Sequence, residues 1–105
     1  MTDIKVYVES KIEHLETQIT NMKEGIESRD KLSVKLEEKL ETISESRIIL
    51  ESAEKPSALD ILANIEEKTK EEKEENISIL SHLKGYLEEA ELDLEVHKKA
   101  LETLI

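Results

Sequence analysis

From Ile12 onward, positions 12, 15, 19, 22, 26, 29, 33, 36, 40, 43, 47 and 50 step by three and four without a break. Nine of these twelve are Ile, Leu or Met; the exceptions are Arg29, Ser33 and Arg47. The residues between them are mostly Glu, Lys, Ser and Thr, so the pattern is that of a helix with one apolar seam, as in a coiled coil. Backward the pattern reaches Val8, which predicts a helix over about 3–54 starting at Thr2 or Asp3, either of which can cap it. Pro56 then breaks the run, because proline lacks a helix-interior donor and drives Lys55 out of the α region. A turn is expected at 55–57. Ser57, with Asp60 three residues later, forms a variant capping box that opens a second helix over about 58–105.

The second pattern is less regular. Leu59, Leu62 and Ile65 share a face, and residues 66–76 then read EEKTKEEKEEN with no apolar side chain. Strong helix formers and Glu-to-Lys spacings such as Glu66/Lys70 favour continuous helix there over a solvated break. From Leu80 the seam resumes at 83, 87, 90, 94, 97, 101 and 104, interrupted only by His97.

Two long helices joined by a short connection lie antiparallel. The fold class expected is therefore all-α: a long antiparallel helical hairpin of one domain. Pairing residues whose numbers sum to about 112 sets Ile12 to Ile26 beside Leu87 to Leu101, apolar against apolar. The middle fits poorly. Leu36, Leu40 and Ile43 then face the polar 69–76 stretch, while Arg29 and Ser33 face Ile79, Leu80 and Leu83. The expectation is that Leu36, Leu40, Ile43, Leu80 and Leu83, with Leu32 and Ile79, form an uncovered apolar stripe. A four-helix or larger bundle of copies, a dimer in the simplest case, or a partner protein would cover it. Arg29 and Ser33 read as polar seam residues that set register, and Arg47 as a side chain reaching a neighbouring Glu.

Composition sharpens this picture. Leu, Ile and Val make up 30 of 105 residues, enough to fold, but there is no Trp or Phe and only two Tyr, which suits a narrow seam better than a globular core. No cysteine is present, which excludes a disulfide scaffold, a thiol nucleophile and a thiolate zinc site. Acids outnumber bases 26 to 15, a formal charge of -11, which argues against nucleic acid as a partner. No run of 18 apolar residues and no basic-then-apolar leader is visible, so the expectation is a soluble cytoplasmic protein without membrane contact.

A search for chemistry returns little. The residues three before His14, His82 and His97 are Lys11, Ile79 and Leu94, so the Glu-x-x-His pattern of di-iron bundles is missing. Glu37, Glu38 and Glu41, with Glu88, Glu91 and Asp93, resemble the paired magnesium motifs of all-α nucleoside-triphosphate pyrophosphatases. That resemblance implies a single metal site, yet the expected pairing holds Glu38 about 21 Å from Glu88. Isolated Gly25 and Gly85 make no phosphate loop. No catalytic residue, cofactor or metal is assigned. Length and acidity also resemble the small helical-hairpin partners of type VII secretion, without their Trp-x-Gly turn, and acidity alone resembles phage-type inhibitors that mimic nucleic acid. The leading expectation is a non-enzymatic coiled-coil interaction protein, acting as an assembly, adaptor or chaperone-like subunit.

Overall fold

The computed structural model describes residues 2–104. It consists of two α-helices, α1 over Thr2–Ser52 and α2 over Pro56–Leu104, folded back on each other as a hairpin. The polar stretch 66–76 is unbroken helix. The expected caps, Thr2 and Asp3, are both inside the first turn of α1 rather than before it, and the expected last residue of α2, Ile105, lies outside the described residues.

The reversal is as short as the sequence suggests, but it falls two residues earlier. Glu54 N–H donates to the Glu51 carbonyl and Lys55 N–H to the Leu50 carbonyl, both at 3.2 Å. These are the paired bonds of a Schellman ending. The residue such an ending places in the left-handed region is Glu54, whose φ is 54°. Pro56 is the first residue of α2, where its missing N–H costs nothing and its fixed φ suits the helix. The Lys55 carbonyl accepts the first bond of α2, from Leu59 N–H at 3.1 Å. The expected capping box at Ser57 and Asp60 is therefore corrected: both residues lie inside the helix, and the proline, with its preset backbone, starts it.

The chain divides into two units, Met1–Glu27 with Ser81–Ile105, and Ser28–Leu80. In the first, Leu15, Ile19 and Ala90 are buried together, with Met22, Leu87 and Leu94 packed against them. Glu16 and Lys98 stand 3.9 Å apart across the helices. A methyl group on Gly25 would lie 3.8 Å from Leu83 Cδ1, an ordinary contact, and one on Gly85 would meet nothing. Neither glycine is required by its surroundings.

In the unit of residues 28–80 the interior is mixed. Leu36, Ile43 and Leu80 are buried, and so are Thr69 and Asn76. Asn76, 1% exposed, donates from Nδ2 to the Arg29 carbonyl at 3.0 Å and to Ser33 Oγ at 2.8 Å. Its Oδ1 accepts from Arg29 Nη1 at 3.4 Å. Thr69 Oγ1 donates to the Ile65 carbonyl at 2.7 Å, so its hydroxyl is satisfied within its own helix and its methyl is free to pack.

Candidate interaction surface

Ser33 and Asn76 meet directly, which sets a register in which facing numbers sum to 109 rather than 112. In the other unit Gly25 lies beside Leu83, a sum of 108. The difference of three residues is nearly one turn, and it comes from the reversal: with residues 53–55 between the helices, α2 starts earlier than the sequence suggests. The shift sets Arg29 and Ser33 against Leu80 and Asn76. It leaves Leu36, Leu40 and Ile43 level with Lys73, Thr69 and Glu66.

This overturns the expected open stripe. Leu36 is only 4% exposed, Ile43 and Leu80 are buried, and Leu32, Leu40, Ile79 and Leu83 are half-buried, all within a single chain. The polar stretch covers them because its seam residues are amphipathic. Lys73 is half-buried and turns its ammonium toward Glu37, at 3.9 Å. Glu66 is held by Arg47 from α1 and by Lys70, whose Nζ is 2.9 Å away. Arg47 thus pairs with a Glu, as its place in the seam suggests, and the pair closes the hairpin near its turn.

The residues bordering the seam are the ones that reach solvent. In a seven-residue repeat abcdefg with a and d in the seam, e borders one side and g the other. An antiparallel pair brings e beside e and g beside g. In residues 28–80 every e position (Asp30, Glu37, Ser44, Glu51, Ala63, Lys70 and Ile77) is exposed. On this side Glu37 meets Lys73, Lys70 meets Glu66, and an open groove of about 470 Å³ is lined by Arg47, Ala63, Glu66, Glu67, Lys70, Glu71 and Glu74. This side carries these ion pairs, and Ile48 and Ile77 are also exposed on it, at 65% and 55%.

The g side differs. Leu32, Ser46, Ala58 and Ile79 are half-buried there, and Ile65 is 39% exposed. At the adjoining c positions Ile49 and Ile61 are 68% and 63% exposed. Of this flank the expected stripe held only Leu32 and Ile79, because Ile49 and Ile61 fall outside the seam's steps of three and four. A search at seven-residue spacing beside the seam finds Ile65, Glu72 and Ile79 on α2 and Leu32, Lys39 and Ser46 on α1.

Among the described residues no three His, Asp or Glu side chains converge closely enough to hold a metal ion, and no helix is long and apolar enough to cross a membrane. His97, on the seam as expected, turns Nδ1 to the Asp93 carbonyl at 2.8 Å and its carboxylate at 3.1 Å. No protein-family model, curated protein or solved structure matches this chain.

Proposed function

We propose that this chain is a cytoplasmic, non-enzymatic coiled-coil interaction protein that works by associating with itself and with another protein, as an assembly, adaptor or chaperone-like subunit. The observation supporting this reading is the exposure of Ile49, Ile61 and Ile65 on one flank of a hairpin whose own seam is already filled. A large apolar side chain gains about 1.5–3 kcal/mol when fully buried, so such a flank favours a second helical surface. Sedimentation over a wide concentration range tests it. The expected species has the mass of two or more 12.1 kDa chains at high concentration. A single-chain mass throughout would overturn self-association, and failure to retain any partner from native lysate would then remove the rest.

A further inference from the structure

The g flank of residues 28–80 has an internal asymmetry. On α1 it carries Lys35 and Lys39, and on α2, nearly level with them, Glu75 and Glu72. All four are exposed. Among the described residues the ion pairs run elsewhere, through Glu37 with Lys73 and Glu66 with Arg47 and Lys70. Toward the turn the same flank is apolar, with Ile49, Ile61 and Ile65 exposed, and at its other end Leu32 and Ile79 are half-buried.

We propose that this flank is where two copies of the chain meet, related by a twofold axis parallel to the helices. The inference rests on the self-association reading and names its surface. Such an axis lays α1 of one copy over α2 of the other. Lys35 and Lys39 then face the second copy's Glu75 and Glu72, and the same pairs form again on the opposite side of the axis. Leu32 then faces the second copy's Ile79, and Ser46 its Ile65. Every helix is antiparallel to both neighbours, which is the arrangement of an up-down four-helix bundle. A twofold axis perpendicular to the helices would instead stack lysine on lysine and glutamate on glutamate. The charges therefore select one orientation, and a second copy of this chain is an occupant with the required pattern.

Reversing the charges in separate chains tests this without disturbing the seam. Lys35→Glu with Lys39→Glu makes all four of these charges acidic, and Glu72→Lys with Glu75→Lys makes all four basic. Sedimentation should show each variant dimerising roughly tenfold or more weakly than the parent, with unchanged helicity by circular dichroism. An equimolar mixture of the two should recover the parent's affinity as a heterodimer. Ile65→Glu, which touches no charge pair, should weaken dimerisation as well. If the parent dimerises but the reversals have no effect, or the mixture recovers nothing, the dimer uses another surface and this assignment is overturned while self-association stands. A monomeric parent overturns both.

Discussion

At the scale of single residues, the chain carries local costs that nothing in its packing requires. Glu54 sits in the left-handed region to complete the ending of α1, and a side chain there costs about 1 kcal/mol relative to glycine. Glu54→Gly should raise the melting temperature, by about 0.5–1 kcal/mol of stability, because the turn keeps both of its backbone bonds. Gly85→Ala should stabilise by a similar amount, about 0.5–1 kcal/mol, since the site is helical and open. Thermal melts of the two single variants and their combination check both. The sites have no shared neighbours, so the gains should add. A fall in melting temperature for Glu54→Gly would mean that the reversal is held by something other than these backbone bonds.

At the scale of the helices, the seam and its polar members on α1 were legible in the sequence, and the polar members on α2 within 66–76 were not. Steps of three and four from Ile12 mark α1, and Pro56 marks the break, because both signals are local. Register is not local. It depends on how many residues the reversal consumes and on which polar side chains meet, and the residue that decides this, Asn76, closes a stretch that reads as solvated surface. Arg29 and Ser33 pointed to a register-setting layer, but their partner lies 43 to 47 residues away. Asn76→Ala should cost about 1–3 kcal/mol in denaturant unfolding, since Ser33 and Arg29 lose a buried partner. Asn76→Leu should have a different signature. It adds apolar surface while removing the penalty for slippage, so stability is kept or gained, and amide spectra should show more than one pairing of the helices. A single unchanged spectrum for Asn76→Leu would assign register to the turn alone.

At the scale of the whole molecule, the inner seam and the exposed flank should respond differently to the same insult. Leu36 is buried within one chain, level with the stem of Lys73, and an Asp there would put an unpaired charge into the seam. Leu36→Asp should therefore unfold the hairpin, with loss of helicity at any concentration. Ile61 is exposed, and Ile61→Asp removes nothing that the single chain uses. Its effect should appear only where a second chain is present. The parent's melting temperature should rise with protein concentration, because association stabilises the folded form by mass action. Ile61→Asp should flatten that dependence while matching the parent at high dilution. Melts over a hundredfold range of concentration separate the two cases. If Ile61→Asp lowers the melting temperature equally at every dilution, the flank contributes to the fold of the single chain and the apolar surface left for a partner lies elsewhere.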